Sequence, residues 1–188
     1  PRERPADAKQ AADTAHRQFA DSGSEFLAVI RLWRAYRQMH EELSQSQLRK
    51  WCERNFLSYL RMREWRELHR QLLITARELQ WPLPEWPDIE ARLEAAAQDT
   101  KAAARHYQQI HRAVLAGLPT QIGHKNDKGL YDGPRQRRFA IFPASPLAGQ
   151  LPNWCLVGNL LDTQKVWGLM AARIEPDWVI EECGHLLS

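Results

Sequence analysis

The sequence predicts an α+β chain: a helical bundle over residues 1–118, then a small five-stranded β-barrel over residues 119–188. Apolar residues recur at helical spacing through the first part. Three prolines between Trp81 and Pro87 then interrupt that pattern. After Pro119 the apolar runs become short and are separated by Asn, Asp, Gly and Pro, which is how strands and turns read. A chain of 188 residues, 44% hydrophobic and 26% charged, has the composition of an ordinary globular protein. No apolar run approaches the roughly 20 residues that a membrane helix needs. Cys52, Cys155 and Cys183 are far apart and odd in number, which reads as reduced thiols in a cytoplasmic protein. With Pro1 in place of an initiating methionine, the chain is expected to be a piece of a longer protein.

In order, Pro5 suits the first turn of a helix that carries Ala8, Ala11, Ala12, Ala15 and Phe19 on a narrow face. Asp21 to Ser24 is a break, with Ser22 or Ser24 available as an N-cap. Glu25 to His40 reads as a helix whose inward face holds Phe26, Val29, Ile30, Trp33, Tyr36 and Arg37. Ser44 or Ser46 caps the next helix, with Leu48, Trp51 and Cys52 inward, and residues 55–58 form a junction. The following helix runs to Leu79. Its apolar stripe is read as Leu60, Trp65, Leu68, Leu72, Ala76 and Leu79, with Arg61, Arg63, Arg66, Arg70 and Arg77 over the remainder. The acidic, alanine-rich stretch within 82–104 is a helix or a loop. A helical stripe then resumes at Tyr107, Ile110, Val114, Leu115 and Leu118.

The second part offers candidate strands at 120–125, 130–133, 138–142, 154–161 and 166–174, then a short helix opened by Pro176. Five short strands with one interposed loop suggest a barrel of the oligonucleotide/oligosaccharide-binding (OB) type.

Charge is segregated rather than large. The formal net charge is +3, but residues 46–79 carry eight Lys and Arg against four Glu, while residues 85–99 carry five acids against Arg92. The segment His124 to Arg138 holds Lys125, Lys128, Arg135, Arg137 and Arg138 against Asp127 and Asp132. Basic residues on strand-joining loops sit where OB barrels hold single strands. The arginine-bearing helix is equally explained as a solvated face with Arg63–Glu67 pairing at i, i+4. The Thr163-Gln164-Lys165 turn could meet a phosphate, and Lys165 is otherwise an ordinary solvated turn residue. The sequence has no G-x-x-x-x-G-K-[ST] phosphate loop, no metal-ligand spacing, and no nucleophile–base grouping that one sequence can nominate. Tryptophans 33, 51, 65, 154 and 178 lie in apolar patterns and read as core, whereas Trp81 and Trp86 lie beside prolines and could clamp the loop onto the helices.

Several segments together resemble one family. KWCERNFLSYLRMREWRELHRQL, YQQIHRAVLAGL, FAIFPAS and WCLVGNLLDTQKVWGLMAARIEPDWV follow in the order seen in DEAH-box RNA helicases, most closely the bacterial HrpA-type subfamily. The W-C-x-x-N-F-L and R-x-x-P-x-W elements are distinctive as a set. The resemblance implies a helical ratchet (HA2-like) domain over 1–118 and an OB-fold over 119–188. It implies no catalytic residue and no cofactor within this chain. ATP and Mg²⁺ would belong to RecA-like domains elsewhere in the parent helicase. It further implies that the region closes over the RecA-like and winged-helix domains and guides single-stranded RNA, or DNA. Ser145 stands at a serine of the family's H-P-S/x-S segment, with Phe142 in place of the histidine. Thr163 and Lys165 match its T-S-K turn, and Arg61 falls one place after an arginine common in eukaryotic relatives. Ser145, Thr163, Lys165, Lys125, Lys128, Arg135, Arg137, Arg138 and Arg61 are therefore the candidate nucleic-acid contacts. The alternative is a protein-interaction module that docks a regulatory protein on the OB-fold without holding RNA.

Overall fold

The computed structural model describes residues 1–186. Among them are seven α-helices, α1 (Lys9–Arg17), α2 (Glu25–Glu42), α3 (Gln45–Arg54), α4 (Tyr59–Glu78), α5 (Trp86–Gln98), α6 (Thr100–Gly117) and α7 (Pro176–Cys183). Five strands, β1 (Ile122–Lys125), β2 (Tyr131–Asp132), β3 (Arg138–Ile141), β4 (Trp154–Asp162) and β5 (Val166–Arg173), lie between α6 and α7. The α+β class holds, with a helical first part and a closed barrel. The acidic stretch is ordered as α5. The chain divides into two units: residues 1–20 with 29–90, and residues 21–28 with 91–188.

The helix ends follow local chemistry. Ser44 builds a capping box with Gln47, each side chain bonding the other's backbone N–H. Phe56, at φ 53°, reverses the chain after α3, and Ser58 Oγ accepts from Arg61 N at 3.3 Å to start α4. The helical core gathers Phe19, Leu32, Tyr36, Leu48, Cys52, Leu57 and Met62. The N-terminal residues are tied to it, with Glu3 N donating to Phe56 O at 2.8 Å and Ser58 N to Pro1 O at 2.7 Å.

Two helix faces differ from the sequence reading. In α2 the fully buried positions of this core are Leu32 and Tyr36, while Phe26, Val29 and Ile30 are half-buried. In α4 the stripe read from the sequence is displaced from the buried face: its Ala76 is buried with Met62 and its Trp65 packs on the core, whereas Leu60, Leu68, Leu72 and Leu79 are 61%, 54%, 60% and 56% exposed. The stripe through Leu68, Leu72 and Leu79 is a genuine apolar line. However, it lies about a quarter-turn from the residues that meet α2 and α3. The aromatic contacts decide which side turns inward, because Trp65 and His69 both pack on Trp33, with ring centroids 4.9 and 4.8 Å apart. Trp86 does reach the helices, lying under the Arg37 guanidinium at 4.3 Å, but Trp81 is 62% exposed.

In the second unit the strands close in the order β1-β2-β3-β5-β4, antiparallel except for β3 with β5. Alternation along the strands sends Tyr131, Phe139, Ile141, Cys155, Val157 and Ala171 to the barrel interior, with Leu147 closing it. The interior leaves no room beside Phe139: a Cβ on Gly123 would lie 2.8 Å from its Cζ, and one on Gly168 would lie 2.9 Å from its Cδ2. Leu156, facing the other way on β4, packs with Ile122, Leu115 of α6, and Trp178, Val179 and Cys183 around α7. Burial on both faces raises the Cys155 thiol pKa strongly.

Residues 21–28 complete this unit. Ser24 pairs with Ala172, and Arg173 N donates to Gly23 O at 2.8 Å. Tyr107 of α6 donates its hydroxyl to Gly23 O and Arg173 O.

Candidate nucleic-acid interface

The strand registers sort the barrel's polar residues into two ends. β1 and β2 pair through Lys125↔Tyr131, so the turn 126–130 lies at the end where β4 begins and β5 finishes. The loop 133–137 and the turn 163–165 lie at the opposite end, where β3 and β5 begin side by side. The basic segment 124–138 is therefore divided between the ends, with the exposed faces of β2 and β3 spanning them.

At the first end, Asn126 shapes a tight turn: its Oδ1 accepts from Lys128 N at 3.0 Å and from Leu130 N at 3.2 Å. Gly129, at φ 75°, completes it. Lys128 is carried outward by this turn and is exposed. Lys125 is half-buried and donates its ammonium to Leu151 O at 3.1 Å. His124 is exposed beside Trp154, ring centroids 4.8 Å apart.

At the second end, Gly133 N donates to Arg137 O at 2.8 Å, closing a loop in which Arg135 and Gln136 both take positive φ, 56° and 59°. Two successive non-glycine residues in the left-handed region are costly. They let the chain turn between β2 and β3 while leaving Arg135 and Arg137 exposed. Gly133 is required here by close approach, since a Cβ would stand 2.7 Å from Ile122 O. Arg138 is committed to Asp132, Nε to Oδ1 at 2.6 Å, and Asn126 bonds the other carboxylate oxygen. Those two donors hold the Asp132 carboxyl below its ordinary range.

The β4–β5 turn is stapled by Thr163, whose Oγ1 donates to Lys165 O at 2.8 Å and accepts from Lys165 N at 3.3 Å. Lys165 is exposed and holds its ammonium 5.4 Å over the Trp167 ring. Ser145 is buried. Its hydroxyl donates to Glu25 Oε2 at 3.0 Å and also caps the short helical turn Pro146–Gly149. Glu25 Oε2 also accepts from Ala171 N at 2.7 Å, so Ser145 helps fasten the β3–β4 loop to β5. Arg61 belongs to the other unit, on the exposed side of α4, where Nη1 donates to Glu64 Oε2 at 2.9 Å. The expected Arg63–Glu67 pair is replaced: Glu67 bonds Arg70 and Gln71, which lower its pKa to about 2, and Arg63 lies over Tyr59.

Among the described residues, Lys128, Arg135, Arg137 and Lys165 make no ion pair with a carboxylate, and no three His, Cys, Asp or Glu side chains are placed to hold a metal ion. Sequence reasoning missed a buried pair in this unit, Ser24 Oγ and His111 Nε2 at 2.5 Å, with His111 Nδ1 bonded to Tyr107 O. It has the outline of a nucleophile and its base. Both residues are fully buried, and Ser24 Oγ accepts from Leu27 N at 3.2 Å, so the pair is a structural tie. Also missed was Trp167, although Gly168 signals it: the crowded interior takes the glycine, so its neighbour must face out.

Comparison with known proteins agrees with this geometry. The oligonucleotide/oligosaccharide-binding (OB)-fold family matches residues 110–186, which include the C-terminal part of α6, the whole barrel and α7. End to end, the chain is 40% identical to "ATP-dependent RNA helicase HrpA homolog" of Haemophilus influenzae and 39% identical to "ATP-dependent RNA helicase HrpA" of Escherichia coli. The chain is similar from end to end to one segment of these HrpA proteins, and its residues 110–186 match the OB-fold family. It spans 13% of the length of each of these HrpA proteins. The identity runs through the helical unit as well as the barrel, so both belong to the shared HrpA-like segment. No helix among the described residues is long and apolar enough to cross a membrane.

Proposed function

We propose that this chain is the ratchet and OB region of an ATP-dependent RNA helicase, with residues 1–118 as the ratchet domain and 119–188 as the OB-fold. It contributes RNA holding and strand guidance without catalysis of its own. The observation that carries the reading is the pair of barrel ends bearing unpaired cations, Lys128 at one and Arg135, Arg137 and Lys165 at the other. Such a barrel tracks a polyanion by its charge and leaves base sequence unread. The phosphate backbone of single-stranded RNA, or DNA, runs between those ends. Arg138, Lys125 and Thr163 support it from positions where they also brace the barrel. Ser145 acts by positioning the β3–β4 loop, and Arg61 offers a weaker contact on the helical unit.

ATP and Mg²⁺ belong, in this reading, to RecA-like domains of the same protein, because the chain itself has no phosphate loop. Those domains and a winged helix are its partners in a cytoplasmic protein. The exposed line Leu68, Leu72 and Leu79 supports a protein contact of this kind. It equally suits a regulatory protein, which is the second reading.

A salt titration of single-stranded RNA binding tests the proposal. Phosphate contacts require log K to fall linearly with log[salt], with a slope of about −0.7 per contact. Binding that ignores salt, or that survives replacing Arg135, Arg137 and Lys165 by Ala, removes the RNA reading. Retention of a protein partner with no RNA would favour the second.

A further inference from the structure

The outer face of β3 and β5 carries an aromatic surface that phosphate contacts alone do not need. Ile141 and Gly168 face the interior, so alternation turns Ala140, Phe142 and Trp167 outward. Phe142 and Trp167 meet edge to face with centroids 5.8 Å apart and an interplanar angle of 85°. Phe142 is 38% exposed, and Leu161, the β4 partner of Trp167, is 43% exposed. A single large apolar group at a protein surface is ordinary, but three adjacent ones on one face mark a contact surface.

Cations surround this surface. Lys165 lies over Trp167 itself, and the β3–β5 register, continued two residues back from Ala140↔Trp167, sets Arg138 level with Lys165. Arg137 is one residue further along that edge, and the nearby anions are Asp162 and Asp132, the second already paired with Arg138. An aromatic surface rimmed by basic groups fits a nucleic-acid base and its phosphate better than it fits an aliphatic protein segment. The ring takes the π-face of the base, and the ammonium takes the adjoining phosphate.

We infer that Phe142 and Trp167 form a stacking platform for one unpaired base of the bound strand, with Lys165 moving from the indole face to the phosphate beside it. The inference rests on the single-strand reading of the barrel and adds to it a base contact that is indifferent to sequence. Stacking of this type changes affinity by about 5- to 150-fold per base on removal of the aromatic ring.

The test uses residues 1–188 and a short uridine-rich RNA, measured by fluorescence anisotropy across salt concentrations. Trp167→Phe keeps an aromatic face and should bind within about threefold of the parent. Trp167→Leu keeps apolar bulk without a π-face and should weaken binding at least fivefold, with an unchanged salt slope. Lys165→Ala should instead lower the slope by about 0.7. An RNA carrying one abasic residue, scanned along the strand, should lose affinity at one position for the parent and at none for Trp167→Leu. If Trp167→Leu binds like the parent while Lys165→Ala weakens, the platform is refuted and the phosphate reading stands. If the parent itself shows no salt-dependent RNA binding, both fall. Equal losses for Trp167→Phe and Trp167→Leu also overturn the platform, since a π-face would then be irrelevant.

Discussion

The helical unit and the barrel unit use the same kinds of residue in opposite ways. In the helical unit arginines are neutralised at home: Arg61 by Glu64, Arg70 by Glu67, Arg34 by Glu90 and Arg4 by Asp13. Its leucines, by contrast, are left partly in solvent along α4. In the barrel the apolar residues are spent inside, and the cations on the loops stay uncommitted. Counting basic residues along the chain favours the helix, whereas asking which of them has a carboxylate partner favours the loops. The second measure is the relevant one, because a paired guanidinium must give up its carboxylate before it can meet a phosphate.

The largest test of that contrast concerns leucines. Leu156 is fully buried between the barrel and its flanking helices, and Leu156→Ala should cost about 2–5 kcal/mol. Leu72, 60% exposed, should change stability by no more than about 0.5 kcal/mol when replaced by Ala. Urea unfolding of both variants gives the comparison directly. A loss above about 2 kcal/mol for Leu72→Ala would mean that α4 packs through the line that the sequence suggested.

Next in size is RNA affinity. Replacing Arg135 and Arg137 by Ala should reduce the salt slope by about 1.4, two single-strand phosphates' worth. Replacing Arg61 and Arg70 by Ala should reduce it less, because Glu64 and Glu67 already hold those side chains. The reverse order would shift the RNA path to the helical unit.

Much of this architecture was legible because local rules and tertiary packing agreed. The strand positions, the capping serine Ser44 and the break before Tyr59 follow from turn residues, caps and alternation. The α4 face was legible only in part. Trp65 and Ala76 were read inward and are, but the leucines at 68, 72 and 79 outweigh Met62 and His69 in any count of hydrophobicity, and only the partner aromatics on α2 reverse that order. Within the candidate interface, the basic segment 124–138 was visible as composition, but its division between the two ends depends on a two-residue strand. Ser145 illustrates the same limit, since its partner Glu25 is distant in sequence and comes from the segment that joins the barrel unit.

A third test uses pH. Burial lowers the His111 pKa from its usual 6.5, with Tyr107, Asp21, Arg173 and His106 as the other groups acting on it. The folded chain therefore keeps this ring neutral while the unfolded chain protonates it, so stability is present above pH 6.5 and is lost as pH falls below it. The slope cannot exceed about 1.4 kcal/mol per pH unit for one proton. His40, His69 and His106 shift in the same direction, so the diagnostic is a difference: His111→Gln should flatten the profile between pH 5 and 6.5 relative to the parent. Parallel profiles would show that His111 does not titrate with unfolding.

The smallest effect should be the one whose sign changes between the units. Tyr131 in the barrel donates its hydroxyl to Pro152 O at 2.6 Å, while the buried Tyr36 hydroxyl in the helical core has no hydrogen-bond partner among the described residues. Tyr131→Phe removes a donor and strands a carbonyl, which should cost about 1 kcal/mol. Tyr36→Phe removes only a desolvated group and keeps the ring that packs on Trp33, so it should be neutral or stabilising by up to about 1 kcal/mol. Chemical denaturation of the two variants side by side decides it. A cost for Tyr36→Phe matching that of Tyr131→Phe would mean that the helical core supplies this hydroxyl with a partner in solution, and that the two cores treat their buried tyrosines alike.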